Sequence, residues 1–100
     1  MKADVEVVFC FDEKKELYDG YRPSHLIDGK NLTTGVHHYF DSGLSQNTVK
    51  GTITFIAPED YPNSLKIGDK IDMFEGSKKI GFAEILEIFN PILGRNESIL

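Results

Sequence analysis

Apolar side chains recur at every second position over several stretches of this chain. From Val5 to Phe11, the residues Val5, Val7, Phe9 and Phe11 fall on one face. The opposite face, Glu6, Val8 and Cys10, is mixed. A period of two is the signature of a strand with one buried face. The alternation is cleaner from Thr48 to Ala57, where Val49, Gly51, Ile53 and Phe55 alternate with Thr48, Lys50, Thr52 and Thr54. Threonine beside β-branched and aromatic residues suits a pleated, half-wet surface. A third strand is expected from Lys70 to Phe74, with Ile71 and Met73 inward. It leads into Glu75-Gly76-Ser77-Lys78, a turn in which Gly76 can adopt positive φ.

Lys79 to Phe89 has two readings. As a strand it places Ile80, Phe82, Leu86 and Ile88 on one face, with Glu84 interrupting. The run Ala83 to Ile88 also fits a short helix, but Gly81 costs a helix about 1 kcal/mol against alanine and the run is rich in β-prone residues. A long strand paired back through the Gly76 turn is therefore expected, with a bulge or bend at an internal Gly or Glu. The expected core includes Val7, Phe9, Ile53, Phe55, Ile71 and Phe82.

Breakers punctuate the rest: Asp19-Gly20, Arg22-Pro23, Asp28-Gly29, Gly35, Asp41-Ser42-Gly43, Pro58 to Asn63, and Gly68-Asp69. Between them lie short strands such as 24–27 and 35–40. No segment is long enough for a helical bundle, so the fold class is all-β. After Phe89 the periodicity is lost. Residues 1–89 are read as one domain and 90–100 as an irregular tail, tucked onto the core by Ile92 and Leu93.

Composition narrows the function classes. One hundred residues with 40% hydrophobic content make one domain with a modest core. A nucleotide-cofactor cleft would consume most of that interior, so no cofactor is expected. The net charge is −5, and every third of the chain is deficient in base: five basic against seven acidic groups in 1–30, three against four in 31–70, three against five in 71–100. Nucleic-acid binding usually leaves a basic cluster, and none is visible. The acidity serves solubility or faces a basic partner. A single cysteine, no long apolar run and a polar N-terminal stretch point to a cytoplasmic chain without a membrane span.

Little in the chain suggests catalysis. His37-His38, with His25 elsewhere, is the one candidate metal cluster. Neighbours in a strand point to opposite faces, and a metal site needs a third ligand at fixed geometry. One histidine packed and one exposed is the expectation, with no metal. Cys10 has no neighbouring cation to stabilise a thiolate and reads as a small buried apolar residue. No serine lies in a G-x-S-x-G context and no phosphate-binding loop is present. The chain is read as a non-enzyme. Tyr18, Tyr21, Tyr39, Phe40 and Tyr61 fall at turns and strand ends. Such rings either seal the ends of a barrel or meet a partner, since tyrosine offers an apolar ring with a wet hydroxyl.

Asp19-Gly20-Tyr21-Arg22-Pro23 resembles the Gly-Tyr-Arg-Pro signature of the C-terminal β-barrel domain of bacterial elongation factor Tu. In that family the signature follows a strand of the kind seen in Val5-Glu6-Val7-Val8-Phe9 and precedes a Thr-Gly step, echoed by Thr34-Gly35. Glu75 to Leu86 resembles the glycine-containing ending of the same domain. The resemblance spans most of residues 4–89. It implies a six-stranded antiparallel barrel of Greek-key character, which agrees with the strand reading. The nucleotide-binding domain and the middle barrel have no counterpart, so nucleotide hydrolysis is not implied. In the family this barrel helps hold aminoacyl-tRNA and meets an exchange factor. An arginine usual in the family aligns at or beside Asp28, which is acidic. Lys78 and Lys79 partly match a basic turn. Arg22 is read as holding its turn.

The expected function is therefore a free-standing protein-binding module with a translation-factor-like barrel, such as an immunity protein that neutralises a basic toxin. The alternative is a translation-related factor that binds tRNA or ribosomal components. The expected contact residues are Tyr18, Tyr21, Tyr39, Tyr61, Asp28, Asp60, Lys78 and Lys79.

Overall fold

A computed structural model describes residues 2–40 and 45–95, with main chain only at Lys15, Ser45 and Gln46. The Asp41-Ser42-Gly43 breaker and residues 96–100 lie outside the described residues. Six strands form a closed antiparallel barrel: β1 (Val5–Glu16), β2 (Ser24–Leu26), β3 (Leu32–Tyr39), β4 (Ser45–Phe55), β5 (Lys70–Glu75) and β6 (Lys78–Ile88). Their order around the barrel is β1-β4-β3-β2-β5-β6, and β6 closes onto β1. The meander β2–β3–β4 has β1 beside β4 rather than beside β2, a Greek-key arrangement. Closure removes the unpaired sheet edges that would otherwise invite association. No helix among the described residues is long and apolar enough to cross a membrane.

The period-two pattern explains β1 and β4 directly. Val5, Val7, Phe9 and Phe11 are buried, while Glu6, Val8 and Cys10 sit half-covered outside. Cys10 thus belongs to the outer face rather than to the core. Val49, Gly51, Ile53 and Phe55 point inward from β4, and the two strands pair at Val5–Ile53, Val7–Gly51 and Phe9–Val49. Gly51 is needed there, because a Cβ would overlap the His38 carbonyl.

β5 and β6 form the expected hairpin, with Gly76 at φ 60° in the turn. The face assigned to β6, however, is corrected. Met73 pairs with Gly81 but Phe74 pairs with Lys79, so Ile80 is one residue too many and the strand bulges. Gly81 absorbs the bulge at φ 150°, where a side chain would run into the Cys10 carbonyl. The bulge reverses the parity downstream. Ile80, Ala83 and Ile85 are buried, Phe82 is only half-buried, and Glu84 points outward without interrupting anything. A second irregularity passes over Leu86, since Glu6 pairs with Glu87 and Val7 with Ile85. Ile88 consequently packs back against the core. Of the expected core, Val7, Phe9, Ile53, Phe55 and Ile71 are in place and Phe82 is not.

The described part of the tail is tied into the barrel. A 3-10 turn at Pro91–Leu93 delivers Leu93, fully buried, against the core, while Ile92 stays exposed. Leu65 N–H donates to Leu93 O at 2.8 Å and Arg95 N–H donates to Leu65 O at 2.7 Å, stitching the tail to the loop before β5.

Candidate functional site

An antiparallel barrel with an even number of strands sends its connections alternately to two ends. Residues 17–23, Phe40 at the end of β3 and the Gly76 turn lie at one end, called here the turn end. The β2–β3 turn and residues 56–69 and 89–95 lie at the other, the plug end. The expected contact residues therefore do not form one site. Tyr18, Tyr21, Lys78 and Lys79 share the turn end, whereas Asp28, Asp60 and Tyr61 share the plug end.

Tyr39 is a correction. It is 5% exposed, because β3 alternates and its inward set is Thr33, Gly35, His37 and Tyr39. Its ring meets Phe9 edge-on at 5.1 Å, so it seals the core and has no face for a partner.

At the turn end, segment 17–23 is not a loose loop. Gly20 N–H donates to His37 O and His37 N–H to Tyr21 O, both at 2.8 Å, and Gly35 N–H donates to Pro23 O at 3.3 Å. The Asp19 carboxylate accepts from Tyr39 N–H at 2.8 Å. Main-chain bonds and Asp19 hold this turn, and Arg22 stands exposed on it. Leu17, fully buried, anchors the segment from below. Tyr18 is 62% exposed, and its hydroxyl donates to Glu16 at 2.9 Å, which raises its pKa. Tyr21 is half-buried, with its hydroxyl donating to Glu75; burial first, and that carboxylate second, push its pKa well up. Phe40 is 61% exposed at the same end. Lys79 pairs with Asp72 at 3.3 Å, and Lys78 stands exposed beside it. Both lysines line a cleft of about 170 Å³ together with Asp12, Glu13 and Glu75.

At the plug end, Asp28 holds the β2–β3 turn. Its Oδ1 accepts from Lys30 N–H at 3.0 Å and Asn31 N–H at 2.9 Å, and its Oδ2 from the Asn31 side chain at 3.0 Å. These bonds, led by the Asn31 main-chain N–H, lower its pKa. Asp60 is exposed on the 3-10 turn Pro58–Asp60, and Tyr61 packs half-buried on the core. A cleft of about 420 Å³ runs between the β2–β3 turn and Arg95. Its carboxylates are engaged: Asp28 in the turn, Asp69 by the Arg95 fork at 2.9 and 3.1 Å, and Asp72 by Lys79. The buried Ser64 hydroxyl has no hydrogen-bond partner among the described residues.

Inside the barrel lies a polar cluster that sequence reasoning did not assemble. His25 of β2 and His37 of β3 are both fully buried, with their Nε2 atoms 2.8 Å apart. His37 Nδ1 is 2.7 Å from the Tyr39 hydroxyl, and His25 Nδ1 is 3.4 Å from Thr33 O. The carbonyl can only accept, so His25 carries its proton on Nδ1. Its Nε2 then accepts from His37 Nε2–H, and His37 Nδ1 accepts from Tyr39 O–H. One proton per ring satisfies every atom. Burial pushes the His25 pKa down to about 4 and that of His37 well below its usual value. His38, by contrast, is exposed and lies 3.5 Å from Asp19. One packed and one exposed histidine is thus the arrangement found. The two facing nitrogens are too close to admit an ion, and no group of three or more metal-ligating side chains exists among the described residues. The signal available in the sequence was the inward parity of β3, which placed His37 inside. Its partner, 12 residues away on another strand, depended on the register.

Compared with protein-family models and with curated protein sequences, the chain matches none.

Proposed function

We propose that this chain is a non-catalytic module that binds another protein through the turn end of its barrel. The observation that carries this reading is the pair of aromatic rings, Tyr18 and Phe40, 62% and 61% exposed at one end. Rings held this far out of the core gain most from burial against a partner, and aromatic residues dominate interface energetics. The half-buried Tyr21 continues the surface inward, and segment 17–23 is fixed to β3, so the rings are presented with little ordering cost. Lys78, Lys79, Glu75, Asp12 and Glu13 form a mixed-charge rim.

The net charge of −5 favours a basic partner. An immunity protein that captures a basic toxin is one concrete form, since it needs a complementary surface and no chemistry. The translation-factor-like barrel suggested by Gly20-Tyr21-Arg22-Pro23 implies six antiparallel strands of Greek-key character, with which the closed barrel is compatible, and it belongs to this proposal. A second reading, a translation-related factor that binds tRNA or ribosomal components, draws on Arg22, Lys78 and Lys79 at the same end.

The test pairs a pull-down from native cytosol with a titration of aminoacyl-tRNA, both at physiological salt. A captured protein that is lost with Tyr18→Ala or Phe40→Ala, and that associates more slowly as salt rises, supports the protein-partner reading. Micromolar or tighter tRNA binding, weakened by reversing Lys78 and Lys79 to Glu, overturns it in favour of the second.

A further inference from the structure

The contact surface makes no use of the buried histidines, yet it rests on them. Segment 18–23 is bonded to β3 at His37, on both the N–H and the C=O of that residue. The Tyr21 ring stands edge-on to the His37 ring at 5.5 Å. The His37 imidazole is packed on Phe9 at 4.2 Å and faces His25 across 2.8 Å. Two of the main-chain bonds that hold the segment, at its middle, belong to the residue whose ring shares a proton, while Gly35 and Tyr39 hold it on either side.

We propose that the His25–His37 pair is a proton-operated latch, which holds residues 18–23 on β3 when both rings are neutral and releases them when a ring is protonated. A proton added at His25 Nε2 turns the acceptor of the bond between the two rings into a donor, so that two N–H groups face each other at 2.8 Å. A proton added at His37 Nδ1 likewise opposes the Tyr39 hydroxyl. Either ring would then hold a buried charge. The titratable groups around the pair are Tyr39 on β3, Tyr21 and Asp19 on the segment, and Glu75 of β5 beyond Tyr21. β1 and β4 present Phe9 and Phe55, and β5 presents Met73 opposite His25. Among the described residues no carboxylate is hydrogen-bonded to either ring. A buried cation without a counter-ion is unstable, and relief requires the pair to open so that both rings reach water. Turning His37 outward breaks both of its main-chain bonds to the segment. The latch operates whether or not Tyr18 and Tyr21 meet a partner.

Hydrogen exchange of the Gly20 and His37 amides in the intact chain, corrected for intrinsic chemical exchange, reads the latch. With both rings free to titrate near 6.5 once opened, the opening constant rises about tenfold per ring, about hundredfold in all, between roughly pH 7.5 and 5.5. The two amides are expected to be less protected than those of Phe55 and Ile85, to be insensitive to dilute urea, and to lose about hundredfold protection over that interval. His25→Gln is expected to reduce the loss to about tenfold. Protection that does not change with pH overturns the latch. So does protection equal to that of Phe55 and Ile85 with full urea dependence, because then only the whole barrel opens.

Discussion

Asp4 and the His25–His37 pair are polar groups buried in the same apolar barrel, and they are satisfied in different ways. Asp4, 6% exposed at the plug end, is surrounded by donors from elsewhere in the fold. Its Oδ2 accepts from Phe55 N–H at 2.7 Å and its Oδ1 from the Asn90 side chain at 2.9 Å. Its main-chain carbonyl accepts from Phe89 and Asn90 N–H at 2.8 and 3.1 Å. The residue therefore ties the start of β1 to the ends of β4 and β6. The histidines instead satisfy each other, and only at one proton per ring. A buried acceptor fed by donors from other elements is a fixed tie between strands, whereas each histidine must act as donor on one nitrogen and acceptor on the other, a conditional tie that one proton per ring alone allows.

The largest expected effect breaks the fixed tie. Asp4→Ala leaves the buried Phe55 N–H without an acceptor and frees Asn90, and should cost about 3–4 kcal/mol, read from the urea midpoint at neutral pH. A loss under about 1 kcal/mol would show that water replaces the carboxylate and that the contrast with the histidines is unreal.

The conditional tie should appear as acid sensitivity. The folded pKa of His25, about 4, lies below its ordinary 6.5, so the unfolded chain binds more protons between those values. Stability is then complete above about pH 6.5 and declines as pH falls toward 4. The His25 shift alone corresponds to about 3 kcal/mol, and His37 acts in the same direction. Urea midpoints from pH 7.5 down to about 4.5 measure it, and replacing both histidines by leucine should flatten the slope. A slope unchanged in that double variant would remove the pair as its source.

The smallest effect sharpens the assignment of protons. Tyr39→Phe deletes the hydroxyl that donates to His37 Nδ1 and keeps the ring on Phe9, so about 1–2 kcal/mol should be lost. Free of that donor, His37 should also protonate more readily, which moves the acid decline to higher pH. No movement would place the Tyr39 proton elsewhere.

These two clusters also mark what could be read from the chain alone. β1 and β4 were legible because their inward residues alternate without a break. β6 was legible as a strand but not in its facing, since the parity changes at Ile80–Gly81 and again at Leu86, and a bulge is set by the partner strand rather than by local sequence. Tyr39 looked like a strand-end contact residue, yet parity counted from Thr33 through His37 puts it inside. Asp4 looked like part of a polar lead-in, and nothing before the register of β4 reveals that Phe55 N–H awaits it. The Tyr18–Phe40 surface was legible only as a set of aromatics near turns. Which of them stay outside depended on how segment 17–23 lies along β3.

The pairing of the first strand with the last has a mechanical consequence. Val5 lies opposite Ile88 at the plug end, and β1 and β6 run antiparallel away from there. A pull applied at residues 4 and 89 therefore loads the seam one rung at a time, peeling it from Val5–Ile88 toward Phe11–Gly81 instead of shearing all rungs together. The Asp4 ties to Phe89 and Asn90 sit at the point where the peeling starts. Against a machine that grips and threads the chain, the barrel resists with those few bonds first, and the tear then runs toward the bulge at Gly81.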